Sequence, residues 1–174
     1  MTSLHLADIE FVQELPESMW EMAQLRNLAL RNMPLRLLSA GVGALARLES
    51  LWLEELTIRS VPTDLGQLTE LKEFNMQLCI FCRSLPFEAL LGLVGLLYLQ
   101  IEWCKCPEEF GAWYLGEGYS SRDTEGVSVF WQLCAALPHM RALQTLTLRE
   151  LQLPADLDAV AQALRSPPPA LRCV

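Results

Sequence analysis

The sequence predicts an α/β solenoid, in which short parallel strands form one curved sheet and short helices or extended segments return along the opposite wall. Two observations support this prediction. Leucine supplies 36 of the 174 residues, whereas isoleucine and valine together supply 12. The leucines also recur in phase as Leu-x-x-Leu-x-Leu, with Phe, Met or Ile in some later copies, at steps of 23, 23 and 25 residues. The four copies begin at Leu25, Leu48, Leu71 and Leu96.

Each copy begins with alternating apolar residues, a pattern typical of a half-buried strand. Met1, Leu4 and Leu6 fit the same pattern as an opening half-repeat. The second half of each unit places apolar residues at three-residue spacing, which favours a short helix or an extended return path. One such unit cannot cover its own apolar face, so neighbouring units must stack. The second-half columns are Leu15, Leu38, Val61 and Leu85, then Met19, Val42, Leu65 and Leu90, then Met22, Leu45, Leu68 and Leu93.

The repeat resembles the unit of leucine-rich repeat proteins, L-x-x-L-x-L-x-x-N/C-x-L. Residues 1–104 are similar to the class of about 23 residues with Leu-Pro in its second half. Residues 127–174 are similar to the 28-residue ribonuclease-inhibitor class, because apolar residues at helical spacing flank the strand pattern that begins at Leu143. Residues 105–126 lack the register, and we expect an irregular loop or a decayed repeat there. The resemblance implies one leucine-rich repeat domain over 1–174, with about six to seven repeats.

The ninth position of the unit departs from the family, which normally has Asn or Cys there to hydrogen-bond the backbone of the turn. Without an asparagine ladder the turn amides must bond to backbone or water, each lost bond being worth about 0.5–1.5 kcal/mol. We therefore expect irregular turns and modest stability. The residues at this position are Ile9, Met33, Leu56, Cys79, Cys104 and Leu151.

Composition excludes several kinds of partner. The net charge of −8 disfavours nucleic acid and anionic membranes. The longest apolar stretch, Ala89 to Leu99, has 11 residues, whereas a membrane-spanning helix needs about 20. Acidic residues at positions 8, 10 and 14 occupy the place of a signal peptide's apolar region. We expect a cytoplasmic protein that contacts neither nucleic acid nor membrane.

The side chains between the leucines should form columns on the concave face, about 4.8 Å apart from strand to strand. The predicted central column is His5, Ala29, Trp52, Asn75, Gln100 and Thr147. Aromatic rings among carboxylates suit an interface anchor with an acidic rim, and a basic peptide or protein segment is its natural complement. The alternative is a solvated face that binds nothing. The candidate partner-binding residues are Trp52, Glu54, Glu55, Glu73, Tyr98, Glu102 and Trp103.

Four cysteines fall at equivalent places in adjacent units, Cys79 and Cys82 in one and Cys104 and Cys106 in the next. Four thiolates within tetrahedral reach are a zinc site in principle. Small buried thiols at the ladder position explain the same residues, and we favour that interpretation. No cofactor is predicted, and a zinc-stabilised structural module stays a third hypothesis.

No catalytic constellation is present in the sequence. His5 and His139 fall in distant repeats and have no evident nucleophile beside them. We therefore expect a protein-protein interaction module that binds a protein or peptide on its concave face and catalyses nothing. The alternative is the recognition region of a larger receptor, ubiquitin ligase or signalling protein. Solenoid ends without polar caps also predict self-association.

Overall fold

The computed structural model describes residues 1–79, 87–102, 133–149 and 167–171. Its strands form one six-stranded parallel sheet in which strand order follows chain order. The predicted α/β solenoid is therefore confirmed. The strands are β1 (Ser3–Ala7), β2 (Asn27–Met33), β3 (Ser50–Leu56), β4 (Glu73–Gln77), β5 (Tyr98–Glu102) and β6 (Thr145–Arg149).

Short helices form the return wall. Pro16 and Pro62 directly precede two of them, where the fixed φ and the missing N–H of proline suit a helix start. Ser39 begins a third, its Oγ accepting a hydrogen bond from the Gly41 amide at 3.2 Å. Within the described residues, the 3-10 helices are η1 (Glu17–Glu21), η2 (Ala40–Ala44), η3 (Thr63–Gln67) and η4 (Leu137–His139), and α1 (Phe87–Gly92) is an α-helix.

The leucine columns form a continuous core between the sheet and the return wall. Leu28, Leu51, Phe74 and Leu99 occupy one column and are at most 1% exposed. Burial of each such side chain contributes about 1.5–3 kcal/mol relative to exposure. Consecutive repeats stabilise one another because each covers the apolar face that the other cannot cover alone.

Backbone hydrogen bonds fix the register of one repeat on the next. The amides of Glu49 and Ser50 both donate to the Arg26 carbonyl, at 2.7 and 3.0 Å. The amides of Lys72 and Glu73 donate in the same way to the Glu49 carbonyl, and the pattern recurs before β5 and β6. These bonds therefore fix the register of each strand relative to the preceding strand.

The turns after the strands are more regular than expected. One residue at or next to the end of each of β1 to β4 has a backbone φ between 43° and 56°, in the left-handed region. These residues are Asp8, Asn32, Glu55 and Leu78. The expectation of irregular turns is therefore wrong for β1 to β4. The next residue in each case is apolar, and it enters the core.

Side chains replace part of the missing asparagine ladder. The Cys79 thiol donates to the Leu53 carbonyl at 3.6 Å, and the Thr57 hydroxyl donates to the Leu35 carbonyl at 2.9 Å. Both bonds reach from one repeat to the repeat before it. Backbone carbonyls near the turns therefore have partners without asparagine.

The C-terminal part of the sheet is described only in pieces. β5 pairs directly with β6, although residues 103–144 lie between them in the sequence. Residues 133–136 are helical and lead into η4. Residues 105–126 and much of 127–174 lie outside the described residues, so the predicted domain boundaries and repeat classes stay predictions.

Salt bridges link the starts of three strands on the exposed surface. The Glu49 carboxylate accepts a hydrogen bond from Lys72 Nζ at 2.6 Å and another from the Arg26 guanidinium. The hydrogen bonds from Lys72 and from Arg26 hold the pKa of Glu49 below its ordinary value. Glu49 therefore stabilises the folded state most at pH values at which its carboxylate is ionised.

Close stacking of the return segments depends on glycine at particular points. A Cβ on Gly41 would lie 2.6 Å from Cγ of Trp20, whose ring is buried at 4% exposure. A Cβ on Gly92 would lie 2.6 Å from Cα of Gly66 in the neighbouring return segment. Repeats approach at these points more closely than any residue with a side chain allows.

Replacing Gly41 by alanine should destabilise the fold by about 1–3 kcal/mol, because the added methyl group overpacks the buried Trp20 ring. Ala44→Ser, at an exposed position of the same helix, should change stability by less than about 0.5 kcal/mol. Urea denaturation followed by tryptophan fluorescence measures both. Equal midpoints for the two variants would contradict the packing argument.

Glu49→Gln should reduce stability at neutral pH and lose that effect in acid. A pKa lowered by folding means that the folded chain binds fewer protons, so the stabilisation is present above the unfolded value of 4.5 and disappears as pH falls through the folded value. Urea midpoints from pH 3 to pH 7 measure it. Glu70→Gln, an exposed carboxylate, is the matched control, and parallel pH profiles for the two variants would refute the prediction.

Candidate functional site

The predicted columns of the concave face match the register of the sheet. Trp52 pairs with Ala29 on one side and with Asn75 on the other, and Glu73 pairs with Ser50 and Tyr98. Because this register is parallel and unbroken from β1 to β6, side chains two residues apart form adjacent columns on one surface.

Two large aromatic side chains are exposed on this surface. Trp52 on β3 is 40% exposed and Tyr98 on β5 is 48% exposed. They lie on either side of β4, whose concave residues Glu73 and Asn75 are therefore between them. A strand backbone holds both rings, so little conformational freedom is lost when a partner covers them.

A short hydrogen-bond chain orients the Trp52 ring. Trp52 Nε1 donates to Ser50 Oγ at 3.0 Å, and Ser50 Oγ donates to Glu73 Oε2 at 3.2 Å. The indole N–H and the carboxylate are thereby connected across two strands. This arrangement fixes one edge of the ring and leaves its remaining surface accessible.

The concave carboxylates differ in their partners. Glu54 forms a salt bridge with Arg31 at 2.7 Å, and Glu102 lies 3.9 Å from Arg149. Glu73 has no lysine or arginine partner among the described residues. Of these three carboxylates, Glu73 is therefore the one that can pair with a cation of another molecule without breaking a salt bridge between described residues.

A small pocket lies on the concave face across β4, β5 and β6. Its volume is about 140 Å³. Asn75 is only 6% exposed, and its carboxamide has no hydrogen-bond partner within the described residues. The pocket is lined by Glu73, Phe74, Asn75, Tyr98, Leu99, Gln100, Thr145 and Thr147.

The structure brings five of the seven predicted site residues onto three adjacent strands. These are Trp52, Glu54, Glu73, Tyr98 and Glu102.

Glu55 lies at the edge of this surface, exposed and in the turn conformation, and Trp103 lies outside the described residues. Asn75, Gln100 and Thr147 lie in the predicted central column and Thr145 lies beside Tyr98, but the predicted site residues include none of these four. The signal was an uninterrupted run of hydrogen-bonding side chains beside Tyr98.

The cysteines of the zinc hypothesis are only partly described. Cys79 is 2% exposed and its thiol is directed at the Leu53 carbonyl within the core. Cys82, Cys104 and Cys106 lie outside the described residues, so this hypothesis stays a prediction. In the described ranges, no three metal-binding side chains cluster. Burial raises the pKa of the Cys134 thiol.

Among the helices that the structure describes, none is long and apolar enough to cross a bilayer.

No family model matches the sequence, and no curated protein matches it. Solved structures do match the fold. The leucine-rich repeat domain of the type III effector XopL has a TM-score of 0.59 at 20% identity, over 85% of this chain and 52% of that one. An internalin from Listeria monocytogenes has a TM-score of 0.54 at 14% identity, over 98% and 45% of the two chains.

The Arabidopsis receptor kinase HAESA, solved with a peptide hormone and a co-receptor, has a TM-score of 0.54 at 18% identity, over 83% of this chain and 25% of that one. The chain thus spans about half or less of each of these solved chains. Sequence identities of 14–20% support a shared fold but not a shared function. With its parallel sheet, its repeat register and these neighbours, the chain has the fold of a leucine-rich repeat solenoid.

Proposed function

We propose that this chain is a non-catalytic interaction module whose concave face binds a basic segment of a partner protein or peptide. The observation that carries the proposal is the exposure of Trp52 and Tyr98 on a rigid sheet, on either side of the Glu73 carboxylate, which no described cation pairs with. Large rings that cluster with a free charge are typical of binding hot spots.

The electrostatics favour a basic partner. The chain carries a net charge of −8, which attracts cationic segments at long range and raises the rate of encounter. At short range Glu73 supplies a carboxylate that no described lysine or arginine pairs with, while Arg31 and Arg149 pair with Glu54 and Glu102. Of the predicted acidic residues on β3 to β5, Glu73 is therefore the carboxylate beside both exposed rings whose charge is not paired within the described residues, and Glu55 lies at the edge.

The solved neighbours support this kind of activity. HAESA was solved in complex with a peptide hormone, and it shares the solenoid fold with this chain. The alternative, that these repeats are the recognition region of a larger receptor, ubiquitin ligase or signalling protein, uses the same concave surface. Truncation of Trp52 and Tyr98, described below, therefore tests the interaction module and this alternative alike.

We place the interaction in the cytoplasm. Cys134 is buried and forms no disulfide with a described residue, which suits a reducing compartment. Fluorescence microscopy of the tagged chain tests this, and a signal confined to a secretory compartment would refute it.

Trp52→Ala and Tyr98→Ala should each weaken partner binding roughly tenfold or more, because hot-spot truncations cost about 2 kcal/mol or more. Val94→Ala is the matched control, since Val94 is 58% exposed in the turn before β5 and away from the concave strands. The chain and its variants are immobilised, and captured proteins are quantified by mass spectrometry.

Proteins captured by the native chain and by Val94→Ala, but lost from both aromatic variants, are the expected result. Circular dichroism should be unchanged, because both rings are on the surface. Capture of the same proteins by all variants would overturn the proposed surface.

We propose in addition that the β1 end of the solenoid self-associates. Leu4 and Leu6 are only partly buried, whereas Leu28 and Leu30 at the equivalent positions are at most 1% exposed, and Phe11 is 89% exposed. Sedimentation of the chain should show concentration-dependent association that Leu6→Glu reduces. A monomer at all concentrations would refute this.

A further inference from the structure

The pocket across β4 to β6 is too small for a cofactor or a metabolite of ordinary size. Its volume is about 140 Å³. Ligand sites for small molecules usually measure about 300–1,000 Å³. An occupant of this size is a single side chain of a docked segment.

The lining of the pocket is polar, and Glu73 is its one charged group. Glu73 contributes a carboxylate, and Asn75 and Gln100 contribute carbonyl oxygens. Thr145 and Thr147 add hydroxyl oxygens on the far side. Tyr98 adds an exposed ring, whose face attracts cations. A side chain with several donors and a positive charge complements this set.

Asn75 indicates that the pocket is built for an occupant. Its side chain is more than nine-tenths buried, lines the pocket, and makes no hydrogen bond to any described residue. Among the described residues, the indole nitrogen of Trp20 is the fully buried side-chain polar atom without a partner, so the Asn75 amide is open to the pocket that it lines. A ligand donor that enters the pocket would give the Asn75 amide a partner that no described residue supplies.

We propose that this pocket receives one arginine side chain of the bound segment, with its guanidinium against Glu73 and within reach of the Asn75 and Gln100 oxygens. The proposal rests on the proposed function and names the chemistry of its partner. Arginine fits better than lysine because its planar group presents five donors in a fixed fork and stacks on aromatic rings. Lysine presents three donors on a point charge and would leave more acceptors unpaired.

The test is an NMR titration of the full ¹⁵N-labelled chain with three probes. These are N-acetyl-arginine N-methylamide, the lysine equivalent and the citrulline equivalent, which keeps the shape of arginine without its charge. The arginine probe should shift the amide signals of residues 73–75, 98–100 and 145–147 saturably, even at millimolar affinity. Lysine should bind more weakly, and citrulline roughly ten- to a hundredfold more weakly.

Glu73→Gln should weaken binding of the arginine probe about as much as the change from arginine to citrulline does. Glu70→Gln removes an exposed carboxylate outside the pocket and should leave that binding unchanged. Absence of saturable shifts in the pocket, equal binding of citrulline, or stronger binding of lysine would overturn the proposal. The three blocked amino-acid probes are titrated without any partner protein, so the result is independent of the capture experiment on Trp52 and Tyr98.

Asn75→Val supplies a second readout that a purely structural role would not give. Loss of an unpaired buried amide should leave the thermal midpoint unchanged or raise it, while arginine binding weakens. A lower midpoint with unchanged arginine binding would show that Asn75 serves the fold alone, and would also contradict the proposal.

Discussion

The whole structure depends on one constraint: a repeat can bury its apolar columns only by lying in register on its neighbours. At the start of each strand, two amides donate to one carbonyl of the preceding repeat, and this fixes the register. Packing of the leucine columns requires the same register. Once Leu51 and Leu53 must face the core, Trp52 between them must face the concave surface. A functional surface on this fold is therefore a by-product of core packing, since alternation decides which side chains are presented.

The concave surface is uneven in charge and in shape. Two carboxylates are paired with arginines of adjacent strands, whereas Glu73 bonds only to Ser50 within the described residues. The step from the large Tyr98 side chain to the smaller Thr145 beside it coincides with the pocket. Because the strands hold these groups rigidly, the surface is organised for binding before a partner arrives.

The sequence predicts the columns well because the leucine period determines the register, and six strands align as the period requires. It predicts the pairing state of each side chain poorly. Nothing in the spacing shows that Arg31 reaches Glu54 or that Asn75 is buried beside an open pocket, since both depend on side-chain conformations across strands. The sequence also predicts the turns poorly, because the family's asparagine is not required for regular geometry. In the turns after β1 to β4, a residue with a left-handed backbone precedes the apolar ninth residue and gives a regular turn without asparagine.

The proposed partner lies on the concave face and not on the return wall. Site-specific photo-crosslinking distinguishes these two surfaces, with a benzophenone side chain placed either at Gln77 on β4 or at Glu88, an exposed residue of α1 on the return wall. Irradiation of each variant with its captured partner should give a covalent adduct from position 77 and none from position 88. Adducts from position 88 alone would place the partner on the opposite wall and contradict the account.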